Sequence, residues 1–158
     1  MNPEVALLLR MIDEAYEKKA WHGPNLRGSL RGVTAREAVW RPGKGRHNIQ
    51  EIVVHAAYWK YAVRRRLLGE KRGSFPYKGS NWFVRPGPGK SFHLTEDLRL
   101  LAEEHRLLRG AIATIPPSAL HATTGRGTVS NLTLIYGIAS HDIYHAAQIQ
   151  LLKRLLSS

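Results

Sequence analysis

Residues 48–69 read NIQEIVVHAAYWKYAVRRRLLG, and their reading decides the fold. Asn48 followed three places later by Glu51 is a capping box, in which the two side chains satisfy each other's orphan backbone N–H groups at a helix start. Beyond it Ile49, Ile52, Val53, Ala56, Trp59, Val63 and Leu67 recur at the three-and-four spacing of a single helix face. Gly69 follows, the residue type that most often ends a helix. One imidazole sits on that apolar face, His55, between Ile52 and Trp59.

Three more segments carry the same period, and none carries the alternation of a strand. The first starts at Pro3, where proline suits an opening turn, and runs through Val5, Leu8, Leu9, Ile12, Ala15 and Tyr16. Gly23-Pro24 interrupts it, yet Leu26 and Leu30 continue the spacing, which predicts a kinked helix or two collinear pieces ending near Gly32. A short turn of helix is expected at Thr34–Glu37, another capping box. The third long segment opens at Thr95 with Glu96 and Asp97 in the first turn, where they complement the helix dipole, and Pro116-Pro117 stops it. The last begins near Ser130 or Asn131, carries Leu134, Ile138, Ile149 and Leu152 on one face, and has Lys153 and Arg154 in its last turns. Four amphipathic helices predict an all-α fold, a four-helix bundle spanning residues 1–158 as a single domain.

The link from Gly69 to His93 is 25 residues long with eight Gly or Pro, far beyond what two adjacent antiparallel helices need. A 20-residue helix is roughly 30 Å long, so a link of this length can return to the starting end and set the second and third helices parallel. Phe75, Tyr77, Trp82, Phe83 and Phe92 lie within it. So many aromatic side chains imply that the link packs on the bundle or covers a pocket.

The chain has 158 residues and no cysteine. That excludes disulfides, a thiolate nucleophile and Cys-ligated zinc, so any metal must rest on His, Asp, Glu or Met. Glu4, Arg10 and Asp13 occupy the place where a signal peptide would need an apolar centre, and no apolar run is long enough to span a membrane, so the expected location is cytoplasmic. The net charge of +12 is unevenly spread. Residues 41–90 hold twelve basic and two acidic side chains, whereas residues 1–40 hold six and five and residues 91–158 six and five. Arg64, Arg65 and Arg66, with Lys71, Arg72, Lys78, Arg85 and Lys90, predict an electropositive rim that favours an anion.

Eight histidines are present, and three fall on faces expected to be buried. His141 and His145 are four apart on the apolar face of the last helix, so they stack one turn above the other. Two imidazoles at that spacing can chelate one ion, and His55 from a facing helix completes the three protein ligands of an open site. The competing reading is a set of core histidines bonded to neighbours. It has to find partners for two ring nitrogens on each of three inward-facing rings. His105, between Ala102 and Leu108 on the third helix, is a candidate fourth ligand, while His93 and His121 read as loop residues.

The stretch from Asn48 to Trp59, together with Ser140-His141-Asp142-Ile143-Tyr144-His145-Ala146-Ala147-Gln148-Ile149, resembles the DinB-like (DinB/YfiT-like) superfamily of metalloenzymes. The resemblance spans nearly the whole chain, including Trp40-Arg41-Pro42 and the break at Trp21-His22-Gly23-Pro24. It implies an up-down-down-up bundle with a long crossover between the second and third helices. It also implies one divalent transition metal ion, zinc or nickel, on His55, His141 and His145. Characterised members of the family include bacillithiol and mycothiol S-transferases and thiol-dependent maleylpyruvate isomerases, and members are often homodimers.

Around the three ligands the residues suggest further roles. Glu51, one turn before His55, is placed to orient a ligand or to act as a general base, although the capping box also claims it. Tyr144 and Gln148 flank the His pair, and Trp59, His22, His47 and Arg66 are candidates for the wall of a substrate pocket. The expected function is a metal-dependent reaction on a small molecule, activating a thiol or a water; S-transfer from an anionic low-molecular-weight thiol is the leading form, with hydrolysis behind it. Two rivals are a basic helical nucleic-acid-binding protein, for which no reading motif is found, and a dimeric bundle with a purely structural ion.

Overall fold

The capping box at Asn48 forms in full: the Asn48 side chain accepts from the Glu51 backbone N–H, and the Glu51 carboxylate accepts from that of Asn48. A cap of this kind is worth about 1 kcal/mol, enough to fix where the helix begins. The computed structural model describes residues 2–71, 73–87, 93–123 and 128–157. Among these are α1 (Pro3–Tyr16), α2 (Leu26–Ser29), α3 (Ala35–Val39), α4 (Ile49–Leu67), α5 (Leu94–Thr114) and α6 (Asn131–Ser157), with a single 3-10 turn at Pro117–Ala119. The fold is all-α. No strand occurs among the described residues, where Thr123 and Ser130 form an isolated bridge, and no described helix is long and apolar enough to cross a membrane.

The first helix is shorter than its periodicity suggested. It ends at Tyr16, where the Asp13 carbonyl accepts from both the Glu17 and the Lys18 N–H groups and turns the chain aside. The helical spacing of Leu26 and Leu30 belongs to a separate element, since Asn25 caps α2 through the Gly28 N–H. Nothing apolar between them faces the core: Trp21 is 99% exposed. The break is thus a polar detour of residues 17–25, not a kink at Gly23-Pro24. The other predicted starts and stops agree closely, including the second capping box at Thr34.

Gln50 at the start of α4 donates to Asp97 at the start of α5, at 3.0 Å, and Arg64, near the other end of α4, pairs with Glu104. The two helices therefore run side by side in the same direction, as the length of the link between them allows. Asp97 is fully buried and also anchors the link, accepting from the Tyr77 hydroxyl at 2.7 Å and from Arg85 at 2.9 and 2.8 Å. Phe75, Tyr77 and Phe83 pack with Tyr58 and Tyr61 of α4 into one aromatic cluster. A Cβ at Gly73 would lie 2.5 Å from the Tyr61 hydroxyl, so glycine lets the link lie flat on α4. Phe92, Arg72 and Lys90 fall outside the described residues.

Several cations expected to form an open rim are instead engaged. Arg64 and Arg65 meet Glu70, Arg64 also meets Glu104, and Arg85 is committed to Asp97. Arg85 meets Asp97 at 2.8 Å, a range at which a carboxylate neutralises a guanidinium far more effectively than solvent screening does, so Arg85 chiefly holds the link in place, while Glu70 offsets Arg64 and Arg65 from 3.9 and 3.8 Å.

Apolar burial is divided into two clusters. One joins Leu8 and Ile12 of α1 to Leu108, Ile112, Ile135 and Ile138; the other joins Leu26, Ile52, Val53, Leu101, Ile149 and Leu152. Along α4 the second cluster reaches Ala57 and the first resumes at Val63; along α6 the first reaches Ala139 and the second resumes at Ala146. The seam between the clusters holds Lys60, His105, His141, Asp142 and His145. A polar layer thus crosses the middle of the bundle; His141 and His145 lie in it, and His55 borders it beside Ala56 and Ala57 of the second cluster.

Candidate metal centre

His55 is carried by α4, and His141 and His145 by α6. Ile49, Ile52 and Val53 bury one side of α4, while Ile138, Ala146 and Ile149 bury the matching side of α6, and so the imidazoles are turned toward one another. The Nε2 of His141 lies 3.1 Å from that of His55 and 3.0 Å from that of His145. One ligand atom from each ring lies within 4.8 Å of both others.

The opposite ring nitrogens decide what these Nε2 atoms can offer. His55 Nδ1 is 2.9 Å from the Asn81 carbonyl, which can only accept, so the ring proton is on Nδ1. His145 Nδ1 is 2.7 Å from Gln148 Oε1, and the Gln148 amide is held in that orientation by donating its own N–H to the Tyr144 hydroxyl. Both rings therefore present an Nε2 lone pair to His141. Burial favours the neutral form of all three histidines: it lowers the pKa of His55, takes His141 down to about 3 with the neighbouring imidazoles adding to the effect, and takes His145 down to about 4. A single proton on His141 Nε2 cannot serve two lone pairs at once. If that proton is instead on Nδ1, three lone pairs face one another with nothing between them. A cation between them satisfies all three, and nitrogens bound at about 2.0–2.1 Å in tetrahedral geometry are about 3.3 Å apart, close to the 3.1 and 3.0 Å from His141 to each of the other two rings, all three lying within 4.8 Å of one another. The donor set fits a divalent transition ion.

Residues beyond the ligands hold this geometry. Trp82, from the link, is sandwiched between His47, 3.6 Å away at 4°, and His55, 3.8 Å away at 9°. The residue before it, Asn81, has a φ of 64°, a left-handed conformation that asparagine tolerates better than most residues. That turn aims its carbonyl at His55 while its side chain accepts from Trp59 Nε1 at 2.9 Å. His47 in turn contacts the Glu51 carboxylate at 3.0 Å, and Arg41 grips the same carboxylate with bonds of 2.8 and 2.6 Å. Burial pushes the Glu51 pKa up, but Arg41, His47 and the Asn48 N–H together hold it below the usual carboxylate range. Behind His141, Asp142 of α6 pairs with Lys60 of α4, and both side chains are 0% exposed. Burial pushes the Asp142 carboxyl up, and Lys60 opposes it.

Of the residues singled out from the sequence, Glu51, His47, Trp59, Tyr144 and Gln148 gather around the three histidines. His22 does not; it is exposed and lines a different groove with Ile143 and Arg154 on another side of α6. Arg66 is also remote, eleven residues along α4 from His55, or about 16 Å at 1.5 Å per residue. His105 stacks on Tyr16, 3.9 Å between ring centres, and is not part of the histidine cluster. Sequence reasoning treated Trp82 only as a loop aromatic, and it missed Asn81, Lys60 and Asp142 altogether. The one available hint for Asn81 was its position just after the Gly79-Ser80 turn. Beside His145 a pocket of about 380 Å³ opens, walled by Ile52, Trp82, Leu151 and Leu152, with Arg46, His47 and Tyr144 also lining it.

No curated protein and no solved structure matches the chain. The family model described as the DinB superfamily matches residues 20–149, which include the link, α4, α5 and all three histidines. Together with the helical fold and the buried three-histidine cluster, that match places the chain in the DinB superfamily.

Proposed function

We propose that the protein is a metal-dependent enzyme acting on a small molecule, with His55, His141 and His145 holding one zinc or nickel ion. The convergence of three neutral imidazole Nε2 atoms, two of them with tautomers fixed by outer hydrogen bonds, carries this reading. A divalent ion there lowers the pKa of a bound thiol or water, so that the anion is available near neutral pH. Neutral ligands leave the ion its full charge, which favours an anionic nucleophile over a neutral one.

The chain's own residues supply position and enclosure. Asn81 and Trp82 fix the plane of His55, and Gln148 fixes His145, so the ligands are set before anything binds. The pocket beside His145 receives the substrate: Trp82, Ile52 and Leu152 exclude water, while Arg46 offers a cation to a carboxylate on the donor. Glu51 holds His47, and through it the stack on His55. Proton acceptance by Glu51, the other role its place near His55 suggests, is disfavoured by its bonds to Arg41 and His47, which leave it a weak base. With no cysteine in the chain, the thiol belongs to the substrate and no protein thioester or mixed disulfide forms. The reaction favoured is S-transfer, in which an anionic low-molecular-weight thiol is joined through its sulfur to an electrophilic carbon, the thiolate forming the new C–S bond as the bond to the leaving group breaks and that group departs with its electron pair. Hydrolysis at the same centre is the second reading. We also propose a cytoplasmic homodimer.

The test compares zinc- or nickel-loaded protein with its His145→Ala variant against a panel of anionic thiols and a chromogenic electrophile. The expected rate rises with pH and disappears on chelation or substitution. Equal rates in the two proteins would refute the transferase reading.

A further inference from the structure

A second cavity, about 920 Å³ in volume, lies where the end of α1, α2 and α5 meet, and it shares no residue with the histidine cluster. Its walls carry Arg27, Arg31, Arg99, Arg106 and Arg109 against one carboxylate, Glu17. Three of these arginines are paired: Arg27 with Glu17, Arg106 with Glu103 and Arg109 with Asp13. The side chains of Arg31 and Arg99 have no partner among the described residues, so the groove keeps two uncompensated positive charges.

The lining also includes the stacked rings of Tyr16 and His105. His105 is 3% exposed, and neither of its ring nitrogens has a hydrogen-bond partner in the protein. A buried polar atom left without a partner costs about 1–3 kcal/mol, and few native side chains carry two. Burial, with Lys60 and Arg109 adding to it, takes the His105 pKa down to about 3. At neutral pH the ring thus offers one N–H donor and one acceptor, and no charge of its own. Leu30, Leu98 and Leu101 supply apolar wall around it.

We propose that this groove is a binding site for a small organic dianion with a flat apolar body, its charged end on Arg31 and Arg99 and its body against the Tyr16–His105 stack and the leucines. Two free guanidiniums match two negative charges, and guanidinium forks suit phosphate and carboxylate oxygens alike. The volume is that of a small-molecule site. A nucleic-acid strand would need charge spread along a surface, whereas the two unpaired guanidiniums of this groove share one cavity with a buried imidazole in its lining.

Phenyl phosphate is the probe, with inorganic phosphate and phenol as its separate halves, added to the whole metal-loaded chain. Calorimetry reads affinity, and the ring C–H resonances of the histidines in NMR read location. Saturable binding that moves the His105 resonance is expected, with each half weaker than the whole. The double variant Arg31→Ala/Arg99→Ala, at exposed positions where the fold is not at stake, should weaken binding roughly tenfold or more, about 1.4 kcal/mol. His141→Ala, compared with the chelator-treated parent protein so that both are metal-free, should leave affinity within about a factor of two, since the histidine cluster is separate. The proposal is overturned if His105 does not respond at millimolar probe, if the arginine variant binds normally, or if His141→Ala abolishes binding, which would put the probe on the metal centre. A single-stranded oligonucleotide that displaces the probe at far lower concentration would likewise replace this reading with a nucleic-acid one.

Discussion

Replacing Lys60 by methionine removes the cation facing Asp142 while keeping most of the side-chain volume. Both residues are 0% exposed, so the remaining carboxylate cannot turn to water; it either stays ionised without a partner or takes up a proton. Deleting one member of a buried pair costs about 3–5 kcal/mol, a large part of the 5–15 kcal/mol that holds a typical domain together. The helical wheel sets Asp142 about 60° around α6 from His145, so the pair also fixes the rotation that turns the histidine face toward α4. Urea unfolding of the metal-loaded protein at pH 7 would compare Lys60→Met, Asp142→Leu and the double variant. The single Lys60 change should lower stability by about 3–5 kcal/mol, and the double should recover most of that loss, because an apolar pair of similar volume carries no desolvation cost. A Lys60→Met cost below about 1 kcal/mol, or strictly additive effects in the double variant, would refute the reasoning.

Asn81→Ala should weaken metal binding about 10- to 100-fold without displacing any ligand, since it strains the turn that aims the carbonyl at His55 and removes the acceptor for Trp59; competitive chelator titration reads this. Trp82→Leu should weaken binding in the same direction by releasing both faces of the His47–Trp82–His55 stack. Stability should fall on acidification below about pH 6.5, where an unfolded His105 takes up a proton that the native ring refuses until about pH 3. The limiting slope is about 1.4 kcal/mol per pH unit for each such proton, so His105→Gln should show a shallower loss between those values by denaturant unfolding at a series of pH values. Any binding to nucleic acid should be weak and collapse with salt, as expected of non-specific phosphate contacts; tight, sequence-selective binding at physiological salt would contradict this.

The long elements were legible because their information is local. Capping boxes at Thr34 and Asn48, the Pro116-Pro117 stop and the apolar period of α4 and α6 each lie within a few turns of chain, and the i, i+4 pair of His141 and His145 needs nothing beyond its own helix. The length of the link allowed α4 and α5 to run parallel, and the family resemblance implied it. What was hidden depends on partners distant in sequence. Lys60 and Asp142 are 82 residues apart, and each alone reads as an ordinary charged position on a helix. Asp97 looked like a dipole-complementing residue in a first turn, whereas its larger part is to gather Gln50, Tyr77 and Arg85 at the mouth of the link. Asn81 and Trp82 reach His55 only through a register that loop composition does not encode. The end of α1 was misplaced because Leu26 and Leu30 happen to fall on the old period, although they belong to a separately capped turn.

The central claim is that His55, His141 and His145 form one metal site. Elemental analysis of untagged protein, prepared without nickel resin and then equilibrated with zinc and nickel in turn before exhaustive desalting, tests it most directly. The account predicts one ion per chain, sharply reduced occupancy in His55→Ala, His141→Ala and His145→Ala, and unchanged occupancy in His93→Ala, whose side chain is solvent-exposed and outside the cluster. Metal-replete protein that retains no ion, or that retains it equally in all four variants, would contradict the account and leave three core histidines in its place.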